Sequence, residues 1–110
     1  MDNQKIETIL GEGTTLKGDI VSSGIIRLDG KFSGNVVGSS IIIGKAAIIE
    51  ADIKCSDLTI YGKVKGNVIA EYNVEIQPGG ELVGDIKASS SNIMKGAHFV
   101  GNCDFRSDED

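Results

Sequence analysis

The sequence predicts an all-β fold, a parallel β-helix in which a single-stranded path coils through about six triangular rungs. Three observations favour this solenoid: a short motif that recurs six times, a repeat period of about 17 residues, and heavy use of glycine. The 110-residue chain contains 15 glycines, one proline and no tryptophan. This composition fits many short strands separated by tight corners better than it fits a helix bundle.

The recurring motif places Gly and then Asp or Asn between two apolar residues. Its copies span residues 16–20, 32–36, 49–53, 64–68, 82–86 and 99–103, with Ala51 once in place of Gly. The apolar residues form two columns predicted to face inward, and full burial of each side chain contributes roughly 1.5–3 kcal/mol. The columns are Leu16, Phe32, Ile49, Val64, Leu82 and Phe99, and Ile20, Val36, Ile53, Val68, Ile86 and Cys103.

A second motif, with two apolar residues around a variable one, lies between the copies. Its last residue forms a column of Leu10, Leu28, Ile43, Ile60, Ile76 and Ile93, with spacings of 18, 15, 17, 16 and 17 residues. Two-residue Asn-Gly turns, which favour antiparallel hairpins, are absent. Parallel rungs stack at roughly 4.8 Å, so six rungs predict a rod about 29 Å long.

A further column holds small residues, which let a corner close: Ser22, Gly38, Cys55, Ala70 and Ala88. Phe105 breaks this series at the last rung, and we interpret it as a lid or an interface residue.

Aspartate and asparagine alternate strictly after the corner glycine. Stacked carboxylates repel one another, whereas an asparagine between two aspartates can donate a hydrogen bond to each. We therefore expect a structural ladder rather than a metal or acid–base site. The ladder is Asp19, Asn35, Asp52, Asn67, Asp85 and Asn102.

The sequence excludes several functional classes. It has no apolar run of about 18 residues, which a transmembrane helix requires, and its start lacks the features of a signal peptide. We therefore expect a cytoplasmic protein with free thiols. A net charge of −5 disfavours nucleic acid as the main partner. The only histidine, His98, has no identifiable acid–base partner. We predict no cofactor, no metal site and no enzymatic activity.

Some apolar side chains are predicted to point outward, where they favour a lateral or partner surface. The alternative is ordinary surface, since single exposed apolar residues are common. The residues are Val21, Val37, Ile69, Val83 and Val100.

The repeated Gly-Asx-Ile/Val motif and the stretches 26–36 and 58–68 resemble the bactofilin family over about residues 6–105. The resemblance implies a bacterial cytoskeletal protein with a right-handed β-helical core. It also implies nucleotide-independent assembly into non-polar filaments that scaffold cell-wall synthesis, cell shape, motility or other membrane-associated processes.

Short polar segments flank the predicted domain. Residues 1–5 form a polar N-terminal tail that lacks the apolar or basic targeting stretch of many bactofilins, so direct membrane binding is not predicted from the residues. Residues 106–110 form an acidic C-terminal tail. Expected partners are further copies of the chain and, from the resemblance, membrane-associated or cell-wall proteins. Localisation at the inner face of the cytoplasmic membrane follows only from the resemblance.

Self-assembly is the leading hypothesis, because repeat proteins usually cap their ends and exposed strand edges invite pairing. The residues predicted to form the joint are Ile9, Leu10 and Leu16 at one end, and Phe99, Cys103 and Phe105 at the other.

Two alternatives stay open. One is a monomeric adaptor that docks on a membrane or cell-wall enzyme through the stripe of Val21, Val37 and Ile69. The other is a hexapeptide-type acyltransferase with His98 as base, which the irregular 15–18-residue spacing disfavours.

Overall fold

The computed structural model describes residues 6–105 of the chain, with side chains described for residues 10–104. This part contains thirteen β-strands and no helix. The strands are β1 Ile6–Leu10, β2 Thr15–Val21, β3 Ile25–Leu28, β4 Lys31–Val37, β5 Ser40–Ile43, β6 Ile48–Ile60, β7 Lys63–Lys65, β8 Val68–Ile76, β9 Glu81–Val83, β10 Ile86–Ala88, β11 Ser90–Ile93, β12 His98–Val100 and β13 Cys103–Phe105.

The strands form three stacked faces, and every strand pair within residues 6–105 is parallel. The first face contains β1, β3, β5, residues 57–60 of β6, residues 73–76 of β8, and β11. The second contains residues 15–17, 31–33 and 48–50, then β7, β9 and β12. The third contains residues 19–21, 35–37, 52–54 and 68–70, then β10 and β13.

The predicted solenoid class is confirmed by this topology. Six strand segments stack on each face, so the path completes about five turns from the first segment to the last. The prediction of about six rungs therefore exceeds the number of turns by one, because six layers enclose five intervals.

The core lies inside the coil and consists of the predicted columns. Partners in register share a column, as Leu16 pairs with Phe32 and Phe32 with Ile49. In the middle turns these side chains are almost fully buried, and the part of the chain with described side chains contains no buried polar or charged residue. Inward side chains alternate with outward ones because successive residues of a strand point to opposite sides.

The corner between the second and third faces requires glycine. Gly84 has a φ of 141°, a conformation that L side chains rarely adopt, and a Cβ placed there would overlap the carbonyl oxygen of Gly66 one turn below. Ala51 stands at the same corner in the third turn, but no non-glycine residue in the described chain has a positive φ. The backbone at Ala51 therefore makes this corner in a different conformation.

None of the described segments is a helix long and apolar enough to cross a membrane.

Candidate assembly surfaces

The N-terminal end of the coil exposes part of its core. Leu16 has 42% of its surface exposed, whereas Phe32, its partner one turn higher, has 1%. Ile20 is half-buried, while Val36 above it is fully buried. Leu10, predicted to lie at the joint, is only 7% exposed because it packs in the core of the first face.

The C-terminal end exposes the same columns. Ile93 is 45% exposed, whereas Ile76 one turn below is fully buried. Phe99 and Cys103 are half-buried and pack against the last covered turn. The Cys103 Sγ lies 3.5 Å from the Oγ of Ser91, a weak hydrogen-bonding contact within the last turn.

Two residues predicted for the joint fall outside the residues with described side chains. Ile9 lies in β1, in register with Arg27. Phe105 lies in β13, in register with Ala88. Their side-chain positions lie outside the described part of the chain.

Each terminal turn also presents unpaired strand edges. Within residues 6–105, β2 pairs only with β4, β12 only with β9, and β13 only with β10. The free N–H and C=O groups of such edges can pair with a strand of another chain. Each end therefore combines apolar side chains with backbone groups ready to extend the sheet.

The Asx ladder runs along the corner between the second and third faces. The Nδ2 of Asn35 donates to the Oδ1 of Asp19 over 3.0 Å, and the Nδ2 of Asn102 donates to the Oδ1 of Asp85 over 3.4 Å. In the middle pair it is the backbone N–H of Asn67 that donates to the Oδ1 of Asp52, over 3.3 Å. Each asparagine thus donates to the aspartate one turn below it and to no aspartate above, unlike the predicted sharing.

The predicted lateral residues lie on two different faces. Val21, Val37 and Ile69 share an outward column of the third face, where Val21 is 77% exposed. Val83 and Val100 share an outward column of the second face. The corner glycines turn the backbone between the second and third faces. The two sets of apolar residues therefore do not form one continuous stripe.

The two cysteines lie in different environments. Cys55 is half-buried in the middle of the coil, where burial and, secondarily, the charge of Asp57 raise the pKa of its thiol from 9.0 to about 12. The thiol is therefore protonated at neutral pH. Cys103 belongs to the exposed end.

The described residues contain no group of three or more His, Cys, Asp or Glu side chains arranged to hold a metal. His98 is exposed on the second face, in register with Glu81.

Sequence reasoning missed an open groove of about 430 Å³ at the corner between the first and second faces. It is lined by Arg27, Ile42, Gly44, Lys45, Thr59 and Tyr61. Arg27 Nε donates to Asp29 Oδ2 over 2.9 Å, and the Asp29 carboxylate, one turn below Gly44, occupies the space that a Cβ on Gly44 would fill. The sequence did contain one indication of this contact, because Gly44 lies one turn after Asp29 and, as a glycine, leaves room for the carboxylate.

Within residues 6–105, a coil with a continuous apolar core and partly exposed terminal turns defines the class of structural solenoids. The comparisons with known proteins agree with this class. The family model for bactofilins, described as polymer-forming cytoskeletal proteins, matches residues 8–104, and the chain belongs to this family.

Individual relatives match over most of the chain. The chain is 33% identical to bactofilin BacO of Myxococcus xanthus over 98 residues, covering 88% of this chain and 78% of the relative. It is 28% identical to bactofilin BacP of the same organism, covering 88% of this chain but only 41% of that longer protein.

A solved structure shares the fold. It is a cryo-EM reconstruction of double helical filaments of Thermus thermophilus bactofilin, with a TM-score of 0.80 and 30% sequence identity. The match covers 88% of this chain and 97% of the other. The fold class is thus confirmed by an independent structure.

Proposed function

We propose that this chain is a non-enzymatic cytoskeletal subunit that polymerises by end-to-end stacking of its coil. The observation that carries the proposal is the abrupt exposure of core columns at both ends, such as 42% for Leu16 against 1% for Phe32. The family assignment and the filaments of the Thermus relative support it.

Stacking removes two unfavourable features of the ends, the unpaired strand edges and the exposed apolar side chains. It pairs the free edges of the terminal strands and covers the exposed parts of Leu16, Ile93 and Phe99. Burying the exposed fraction of one such side chain contributes on the order of 1 kcal/mol. Because apolar burial drives this step, assembly needs no nucleotide.

The cellular setting is part of the proposal. We place the polymer in the cytoplasm, as a scaffold for membrane-associated or cell-wall processes, on the strength of the family resemblance. We also propose a non-polar filament, in which like ends meet.

Negative-stain electron microscopy without nucleotide tests the joint. We expect filaments from the wild-type chain and only small particles from Leu16→Arg, because the joint would then hold a desolvated, unpaired charge. Phe105→Arg is predicted to act in the same way. The matched control is Val21→Arg in the same strand, since Val21 is 77% exposed on the outer face.

Two outcomes would contradict the joint. Filaments that persist in Leu16→Arg would remove that residue from it. A uniform field of small wild-type particles at all concentrations would reject polymerisation and favour the adaptor alternative.

Oxidative cross-linking tests the polarity of the filament. Where two C-terminal ends meet, Cys103 approaches its own copy, and copper-phenanthroline should give disulfide-linked dimers that Cys103→Ser abolishes. Cys55→Ser should leave them unchanged, because Cys55 lies in the middle of the coil. Filaments that yield no such dimers would point to head-to-tail stacking.

A further inference from the structure

We propose that the groove at the corner between the first and second faces binds an extended segment of a partner protein in which a carboxylate lies two residues from an apolar side chain. The inference goes beyond the proposed function, because it concerns the side of the coil and not its ends. The grounds are charge complementarity and a set of polar atoms that have no partner within the described residues.

The positive charge of the groove comes from Arg27 and Lys45. Among the described residues, these two cations and no carboxylate line the groove. Arg27 Nε donates to Asp29, but no hydrogen bond or ion pair within residues 10–104 engages the Nη atoms of Arg27 or the Nζ of Lys45. The Arg27 side chain is 44% exposed, and Lys45 is exposed as well. The free end of the guanidinium can therefore donate two parallel hydrogen bonds to an incoming carboxylate.

Asp29 holds the guanidinium of Arg27 in place. Its carboxylate is half-buried and occupies the space that a Cβ on Gly44 would fill, so the glycine makes room for it. Because Asp29 accepts the bond from Arg27 Nε, the guanidinium is oriented before a ligand arrives. Such preorganisation lowers the ordering cost of binding.

The rest of the groove offers apolar surface and hydroxyl groups. Ile42 is half-buried and lies in register between Arg27 and Thr59, one turn to either side. Tyr61 is 43% exposed, and neither its Oη nor the Oγ1 of Thr59 makes a hydrogen bond within the described chain. Arginine and tyrosine are among the residues that contribute most binding energy at protein interfaces.

The shape of the groove favours an extended chain over a small molecule. Small-molecule sites enclose most of their ligand, whereas this groove of about 430 Å³ is open. In an extended segment, residues i and i+2 point to the same side about 6.6 Å apart, which lies between one turn of the coil, roughly 4.8 Å, and two turns, about 9.6 Å. One such pair can place a carboxylate at Arg27 and Lys45 and an apolar side chain at Ile42.

Acidic groups near the groove limit the charge of the segment that it accepts. Glu12 and Asp29 line the neighbouring depression, and Glu75 lies one turn beyond Thr59 in register. These carboxylates repel a run of consecutive acidic residues. We therefore expect single carboxylates separated by neutral residues.

Tyr61 provides an intrinsic reporter of binding, because the chain contains two tyrosines and no tryptophan. In a Tyr72→Phe chain, Tyr61 is the sole source of tyrosine fluorescence, and the changed side chain is 58% exposed. The probe is the peptide acetyl-Glu-Ser-Leu-Ser-Glu-amide, which presents a carboxylate two residues from leucine in either chain direction. We expect a saturable change in fluorescence, and at least about tenfold weaker binding when glutamine replaces both glutamates, because hydrogen bonds to charged groups are the stronger ones.

Variants locate the binding site. Lys45→Gln and Arg27→Gln should each weaken binding of the peptide by about tenfold, and Arg27→Lys should also weaken it because lysine cannot form two parallel bonds. The matched control is Lys95→Gln, which has the same change in net charge. Lys95 occupies the same position of the repeat three turns higher, and this variant should bind the peptide like the parent chain.

Several outcomes would overturn the proposal. They are no saturable change up to about 10 mM peptide, a concentration well above the weakest useful affinities, equal binding of the two peptides, or an equal loss in Lys95→Gln. Displacement of the peptide by an equal concentration of inorganic phosphate would indicate a site for small anions instead. Binding that appears only after removal of residues 106–110 would indicate that the acidic segment of the chain itself fills the groove, and would reject a partner.

Discussion

Substituting alanine for Gly84 should destabilise the coil far more than the same change at Gly79. Both glycines have a positive φ, 141° and 89°, so alanine at either position incurs a conformational cost of roughly 1–3 kcal/mol. At Gly79 a Cβ meets nothing within 4 Å, whereas at Gly84 it overlaps the carbonyl oxygen of Gly66. Overpacking of this kind costs roughly 1–3 kcal/mol more, and that amount is the predicted difference between the two variants.

Urea unfolding followed by far-ultraviolet circular dichroism measures the difference. All samples need one protein concentration, because assembly adds concentration-dependent stability. Any effect of alanine on the unfolded chain is the same at both positions and cancels. Equal unfolding midpoints for the two variants would refute the role of close packing at the corner and leave only the backbone conformation.

Two further predictions concern the middle turns and the corner ladder. The free energy of unfolding should hold to about pH 9 and fall between pH 9 and 12. The reason is that the Cys55 thiol loses its proton near its ordinary pKa of 9.0 in the unfolded chain, whereas burial raises its pKa to about 12 in the folded chain. In a pH series of thermal melts, Cys55→Ala should remove this loss of stability. Asn35→Asp should lower the free energy of unfolding by about 0.5–1 kcal/mol at neutral pH, since it replaces the donor to Asp19 with a like charge. That deficit should shrink at about 1 M salt, where screening shortens the range of exposed charges to about 3 Å, and a deficit independent of salt would contradict the electrostatic cause.

The sequence was sufficient to predict the solenoid because each turn repeats the same environment. Residues such as Ile43 and Ile60 recur at one position of the repeat and pair in register in the structure. A period near 17 residues with short apolar segments leaves few other folds that bury every column. The predicted number of rungs, about six, exceeds the number of complete turns by one, because six stacked segments on each face are separated by only five intervals.

The surfaces were harder to predict, because exposure depends on neighbours in space. Leu10 and Leu16 both belong to inward columns of the first turn, yet one is 7% and the other 42% exposed. Likewise, the motif predicts that Val37 and Val83 point outward but not that the corner places them on different faces. The Arg27–Asp29 pair was missed because its contact with Gly44, one turn later, becomes evident only when the turns are aligned in register.

In this solenoid the axis of the fold is also the axis of the proposed polymer. The spacing of turns within one subunit therefore also sets the spacing of surface residues along the filament. A residue placed every second turn inside one subunit, such as Asp19 or Asp52, lies on a line parallel to the filament. In the proposed non-polar filament, where like ends meet, the next subunit carries the same line in reversed order, with the same spacing between its turns. Weak charges that contribute little to the stability of one subunit then accumulate along the filament. The alternation of aspartate and asparagine would thus serve both requirements, since it prevents repulsion within the coil and leaves a regular charge pattern outside it.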